Sequence, residues 1–367
     1  MPTVAEVVRR FGPAYLARYG ATMPASHRRA LRDLAACRTA ACGGQVHACP
    51  ACGYEHFVYH SCRNRHCPTC HGAVTAAWTA ARTTELLPVP YFHVVFTLPA
   101  ALRAIVRSHQ RVLLAALMTT AAEALQTLAR DPHYVGGTIA VPPVLPTWTR
   151  ALVYHPHVHC LVPAGGLTAD GTRWQPARGK YLVPVRALAA RFRARFLTRL
   201  RRTLPHVALP PDLWRTPWVV YAKPAVQGPP VVLRYLARYV HRVAITDHRL
   251  VAVTRETVTF RYVDRRTQTP RTMTLPGAEF LRRFLQHVLP RGLHKVRYYG
   301  LWRPAAARTR ARLQLALAPR SPASSVADAL PTARPSPPPP CPHCAGAVLR
   351  IRRLPRVALP HGSGIPP

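Results

Sequence analysis

Seven cysteines crowd the stretch between Cys37 and Cys70, in the run CRTAACGGQVHACPACGYEHFVYHSCRNRHCPTCH that ends at His71. A segment this short and polar cannot bury a core of its own, so cross-links must hold it. Cys-x2-Cys pairs interleaved with histidine point to metal rather than disulfides. Cys49 and Cys52 form one pair, Cys67 and Cys70 another, with 14 residues between the pairs. An x2 turn lets two thiolates reach one ion, and the intervening loop can return the second pair to complete a tetrahedron. The spacing therefore predicts structural zinc on Cys49, Cys52, Cys67 and Cys70. Cys37, His47, Cys62 and His66 are candidates for a second site, free cysteines and surface histidines being the plain alternative. Closed four-ligand sites leave no position for substrate. They hold a fold, with an apparent binding energy of roughly 10–16 kcal/mol in comparable peptides. Arg63 and Arg65, in CRNRHC, are placed to grip phosphate or to stand as solvated charge. A late CPHC pair, Cys341 and Cys344, is half of a zinc site. It needs partners such as His343, His361 or another chain.

Charge narrows the partner. Lys plus Arg number 51 against 13 Asp plus Glu, a formal net charge of +38. A compact protein this basic repels itself unless it meets a polyanion, and nucleic acid is the natural one. Drift in a GC-rich genome explains part of the arginine excess but not the shortage of acids. No segment offers the roughly 18 continuous apolar residues of a spanning helix. The opening MPTVAEVVRRFGPAYLARYG lacks the apolar core of a signal peptide and reads as a basic amphipathic helix. The expectation is a cytoplasmic, nucleoid-associated protein with no membrane contact.

Composition divides the chain into a helical segment (1–30), a zinc-binding domain (31–80), a larger domain (85–305) and a basic, Pro-rich tail (306–367) carrying CPHC. In the larger domain YFHVVFTLP (91–99) reads as a strand and residues 100–130 as a long helix. Residues 151–163 read as a strand ending in a turn at AGGL, 186–204 and 231–244 as helices, 251–264 as one or two strands, and 277–290 as a helix. Beyond about Arg320 the Pro/Ser-rich run reads as disordered linker. Without a regular strand–helix–strand beat, this predicts an α+β fold around an antiparallel sheet.

Within that sheet, YHPHVHCLVPAGGL (154–167) sets His155, His157 and His159 at alternate positions. Alternate side chains share one face of a strand, so Val158, Cys160 and Val162 turn to the core. Pro156 lacks an N–H, so pairing is interrupted there. His157 and His159 can chelate one cation; satisfied polar residues on a half-exposed sheet are the alternative. On the helix at 231–244, Tyr235 and Tyr239 lie one turn apart. Arg234, Arg238 and Arg242 recur every four residues on an adjacent face, suited to a phosphate backbone. Half-buried packing is the ordinary role of such tyrosines.

His157-Val158-His159 resembles the histidine–hydrophobic–histidine (HUH) motif of rolling-circle endonucleases, and HPHVHCLVPAGGL resembles their IS91-type insertion-sequence transposases. The likeness extends to SCRNRHCPTCH (a zinc motif), PYFHVVFTLP (a first catalytic strand), YLARYVHRVAIT (a two-tyrosine helix) and FLRRFLQHVLPRGLHKVRYYGLW. It runs in order from about Cys37 to Trp302. It implies an HUH endonuclease-like sheet flanked by helices, with Mg2+ or Mn2+ on His157 and His159. Tyr235 and Tyr239 would cleave and rejoin single-stranded DNA, at the element's ends and at the target, through 5′-phosphotyrosine. A third polar ligand is normal for HUH enzymes. In some single-tyrosine relatives it lies four residues after the tyrosine, but that position here is Val243. His93, on the strand face opposite Phe92, Val94 and Phe96, and His155 are the candidates. Cys42 replaces a residue more often apolar in the family, so it is not expected to be a ligand. AVQGPP (225–230) replaces a more glycine-rich run.

Two other readings compete. A zinc hydrolase would need carboxylates near the paired histidines, and none flanks them in sequence. A non-catalytic zinc-containing nucleic-acid-binding protein, or a decayed transposase, fits the charge but leaves the histidine strand and tyrosine pair unexplained.

Overall fold

The computed structural model describes residues 1–178, 181–225, 229–241, 244–264, 267–318, 341–345 and 349–356. The side chains of Tyr235 and Arg238, and Arg242 entirely, fall outside it, as does His361.

Four antiparallel strands build the central sheet, in the order Pro143–Val144, His157–Pro163, Tyr91–Thr97, Val220–Pro224. Alternation decides which face is dry. Phe92, Val94 and Phe96 from one strand and Val158, Cys160 and Val162 from its neighbour are buried on the same side. Helices Gln110–Ala129 and Val185–Thr203 cover that side with Leu113, Leu117, Phe192 and Phe196. On the opposite side, helix Pro229–His241 sets Leu233 and Leu236 against Leu161 and Tyr91. The histidine strand is therefore buried along its whole length. Gln110–Ala129 is long and apolar enough to cross a bilayer, but 67% of that window is buried in this core. The fold is α+β, an antiparallel sheet between helices, as the irregular alternation predicted.

The histidine strand starts later than the sequence suggests. Before His157, the His155 amide donates to the Thr147 carbonyl at 2.7 Å instead of joining the sheet. The AGGL segment is not a turn: Gly165–Leu167 is a short strand paired with Trp174–Pro176. A Cβ at Gly165 would lie 2.6 Å from the Gln175 carbonyl oxygen and 2.7 Å from the Trp174 ring. Gly165→Ala should therefore destabilise the chain by about 1–3 kcal/mol through overpacking, read as a lower Tm. An unchanged Tm would contradict the close approach.

A second core joins distant segments. Helices Val4–Tyr19 and Ala25–Ala35 contribute Val7, Val8, Leu31 and Leu34. A three-stranded meander (Leu250–Val253, Thr257–Val263, Pro270–Pro276) contributes Phe260, and helix Gly277–Leu285 contributes Phe280 and Phe284. Cys37 and Cys67 are buried in this core. Asp247 ties its parts together, accepting from the Val4 amide at 2.9 Å and from Thr69 Oγ1 at 2.7 Å. Parts of the expected tail carry structure: helix Ala307–Leu317 packs Leu313 near Trp302, and strand Leu349–Leu354 pairs with Gly44–Ala48. The linker expectation at 319–340 falls outside the described residues.

Candidate active site and cysteine clusters

Sheet register brings the histidines together. Val95 pairs with His159 and His93 with Leu161, so His93 sits diagonally across from His159. Their rings stack at 5.0 Å, and His93 Nε2 lies 2.7 Å from His159 Nδ1. His157 Nδ1 lies 2.7 Å from the His155 carbonyl oxygen, so that nitrogen carries the proton and donates. This tautomer leaves the lone pair of His157 on Nε2, the nitrogen that could bind a metal, and a proton on His159 Nδ1 would do the same there. Both rings are nearly buried, at 4% and 5% exposed. Burial pushes the His93 pKa down, which favours the neutral ring that can accept that proton. His155 accepts from Arg103 Nη2 at 3.1 Å, a guanidinium unsuited to sit beside a bound cation.

The tyrosine helix crosses this face. The Tyr239 ring stacks on His159, with centroids 5.0 Å apart and planes 14° apart, and the Trp148 ring lies 5.9 Å from it, tilted by 41°. Tyr235 is one turn earlier on the same helix. Beside them opens a cavity of about 180 Å³ lined by His157, Tyr239, Trp148, Arg150, Asp264 and Gln268. A neighbouring cavity of about 330 Å³ shares Trp148, Arg150 and Tyr239 and adds Arg249 and Arg261. Cationic side chains and aromatic faces in one groove suit a single DNA strand, phosphates on the former and bases on the latter. Arg249 spends part of its capacity on the carbonyls of Arg150 and Arg261; burial, with Arg150 nearby, lowers its pKa to about 10. Arg234 is exposed on the helix. Asp264 and Gln268 belong to no motif in the sequence; only the meander's turn carries them to the histidines.

The cysteines divide differently from the spacing prediction. Cys37, Cys62, Cys67 and Cys70 gather in one group, with sulfurs 3.3 Å apart for Cys37 and Cys70 and 3.6 Å for Cys62 and Cys70 and for Cys37 and Cys67. Cys49 and Cys52 are not with Cys67 and Cys70; they face Cys341 and Cys344. The reason is a hairpin. Strands Gly44–Ala48 and Glu55–Tyr59 carry Cys49 and Cys52 to its tip, while Cys37 and Cys62 flank its base. Five residues at about 3.3 Å each keep tip and base too far apart to share an ion. Among the described residues, these two groups are the ones that gather three or more ligand atoms. His47 and His66 are outside both. His47 Nε2 faces Gln45 Oε1 at 3.3 Å; the His66 nitrogens face Asn64 Oδ1 and the Leu289 amide. Arg65 does not offer itself to phosphate: it donates to the carbonyls of Leu289, Pro290 and Leu293 at 2.6–2.9 Å. Arg63 is exposed.

Beneath the site, His287 is fully buried beside Thr147, Trp148 and Tyr154, and burial lowers its pKa to about 3. In the unfolded chain it would titrate near 6.5. The unfolded state thus binds the extra proton first. The stability held above about pH 6.5 should fall as pH drops toward 3. His287→Gln should flatten that fall in urea melts across the range; an unchanged profile would count against the burial argument.

Comparison with known proteins places this geometry. Residues 140–310 match a family model described as a putative transposase, and residues 7–98 match a transposase zinc-binding domain. The first span contains the histidine strand, the tyrosine helix and the cavities; the second contains Cys37 to Cys70. The chain is thereby placed among DNA-processing transposases. Within that class it belongs to the IS91-type family. It is 42% identical over 318 residues to a putative transposase, y4qJ, of Sinorhizobium fredii, covering 82% of this chain and 80% of the relative. It is 30% identical over 287 residues to the transposase for insertion sequence element IS801 of Pseudomonas savastanoi pv. phaseolicola, covering 72% and 67%. No solved structure matches it.

Proposed function

We propose that the chain nicks and rejoins single-stranded DNA in rolling-circle transposition, acting on the bacterial nucleoid in the cytoplasm. The observation that carries this reading is the Tyr239 ring lying flat on His159 beside the His157 cavity. His157 and His159 would hold Mg2+ or Mn2+ through Nε2, with His93 orienting His159. Asp264 and Gln268 supply oxygen donors at the same cavity. A divalent cation, when bound, polarises the scissile phosphate and offsets its negative charge. The tyrosine hydroxyl gives up its proton and its oxygen attacks phosphorus in line. The bond from phosphorus to the 3′ oxygen breaks, and that oxygen takes a proton. The 5′-phosphotyrosine keeps a phosphodiester bond, so a 3′-hydroxyl can reverse the step without ATP. Two tyrosines would permit two such cleavages, on donor and on target. Cys37, Cys62, Cys67 and Cys70 would hold a structural zinc that fixes the second core.

The test is incubation of purified protein and Mn2+ with single-stranded oligonucleotides carrying the element's end. The 5′ end of the product should remain attached to protein. Release of only free 5′-phosphate would exclude the tyrosine mechanism. Binding should weaken steeply with salt, by about 0.7 in log affinity per decade for each phosphate neutralised. Arg150→Ala with Arg261→Ala, both exposed in the groove, should make that slope shallower by about 1 to 2. A slope equal to the wild type's would remove these arginines from the DNA path.

A further inference from the structure

We infer that Cys49, Cys52, Cys341 and Cys344 form a second, discontinuous zinc site, which clasps the C-terminal segment onto the N-terminal hairpin of the same chain. The four sulfurs lie within 4.8 Å of one another, with Cys49 to Cys344 at 3.5 Å and Cys52 to Cys341 at 3.8 Å. Each half has the form of a metal-binding knuckle. CPACG (49–53) and CPHCA (341–345) share the same frame of cysteine, proline, any residue and cysteine. In each, the fifth residue donates its amide to the carbonyl of the first cysteine, Gly53 to Cys49 at 2.9 Å and Ala345 to Cys341 at 2.8 Å. Both fifth residues take left-handed backbone, with φ of 70° at Gly53 and 59° at Ala345. The His343 amide also points at Cys341 Sγ, at 3.4 Å. Ala345 has no glycine's freedom, so its conformation must be held from outside, as ligation of Cys341 and Cys344 would hold it.

Two further contacts join the halves. Tyr54 stacks on His343, with planes 7° apart, and strand Leu349–Leu354 adds antiparallel to Gly44–Ala48 to make a three-stranded sheet. Cys49 and Cys341 are each only 2% exposed, while Cys52 and Cys344 stand at the surface, so one cysteine of each pair is sheltered and the other faces solvent. Soft thiolates in a closed tetrahedral set select zinc, and leave no position for substrate. The site is therefore a fastener, and it explains the CPHC motif without a second chain.

The inference is independent of the cleavage chemistry, because it is read from metal content. Native mass spectrometry of the full-length protein should find two zinc ions in the monomer. Cys341→Ser with Cys344→Ser should leave one, and hydrogen exchange of residues 44–48 should rise. Cys344→His, which keeps a zinc-binding atom, should retain two ions and the wild-type exchange. Cobalt in place of zinc should give thiolate charge-transfer absorption that drops by about half in the double variant. Two ions retained by the double serine variant would overturn the inference. So would one ion in the wild type, or a second ion found only in a dimer.

Discussion

Changing Tyr235 and Tyr239 together to phenylalanine is expected to abolish the protein–DNA adduct, lowering cleavage by at least about a thousandfold. Affinity for the uncut strand should change by less than about threefold. The contrast follows from what the substitution removes. Phenylalanine keeps the ring that stacks on His159 and touches Trp148, so the groove retains its shape. Only the oxygen that would attack phosphorus is lost. The single change Tyr239→Phe divides the roles further. If Tyr239 makes the first cut, the adduct disappears with this change alone. If Tyr235 does, one adduct persists and the second cleavage fails. Mass spectrometry of a trapped adduct identifies the attacking residue directly. His159→Ala should behave differently from either, because it removes both the proposed ligand and the surface on which Tyr239 rests. Cleavage should then fall together with the order of the tyrosine helix. A double phenylalanine variant that still formed adduct at the wild-type rate would exclude both residues as nucleophiles.

The parts of this site that were legible in the sequence are those governed by local geometry. The two-residue period of a strand set His157 and His159 on one face, and separated His93 from Phe92, Val94 and Phe96. The helical period set Tyr235 and Tyr239 one turn apart. Bringing strand to helix required tertiary contacts that periodicity does not encode; the family resemblance supplied that expectation. Asp264, Gln268, Trp148 and Arg150 were not legible, because they come from segments far apart in the chain and carry no spacing signal. The cysteines show the limit more sharply. An x2 pair identifies two ligands of one ion, but not which other pair completes the site. That choice depends on the hairpin between residues 44 and 59, which sends its tip to Cys341 and Cys344 and leaves its base with Cys67 and Cys70. Charge is similarly incomplete as a guide. Arg65 reads in sequence either as a phosphate ligand or as solvated charge, yet it is enclosed by carbonyls that only the fold brings to it.

Cys67→Ser should be the most damaging single change outside the active site. Cys67 is 1% exposed and belongs both to the Cys37, Cys62 and Cys70 group and to the core built by Val7, Leu31, Phe260 and Phe280. Losing a structural zinc forfeits on the order of 10 kcal/mol, comparable with the whole stability of an ordinary domain, about 5–15 kcal/mol. Serine cannot replace the thiolate, and the three remaining sulfurs would crowd together without an ion to balance them. The expected result is loss of one zinc ion and melting of helices Val4–Tyr19 and Ala25–Ala35, seen as lost helical circular dichroism. The central sheet has its own core, from Phe96 to Phe196, and should melt separately at higher temperature. DNA cleavage should fail even so, since Arg261, Val263 and Asp264 line the cavities from the meander that rests on the lost core. Cys42→Ser provides the comparison. Its sulfur faces the Ala36 carbonyl at 3.1 Å and lies outside both groups, so serine can keep that hydrogen bond. Zinc content should stay the same and stability should change by about 1 kcal/mol or less. Equal zinc content and equal melting in the two variants would show that the cluster around Cys67 does not hold this half of the protein together.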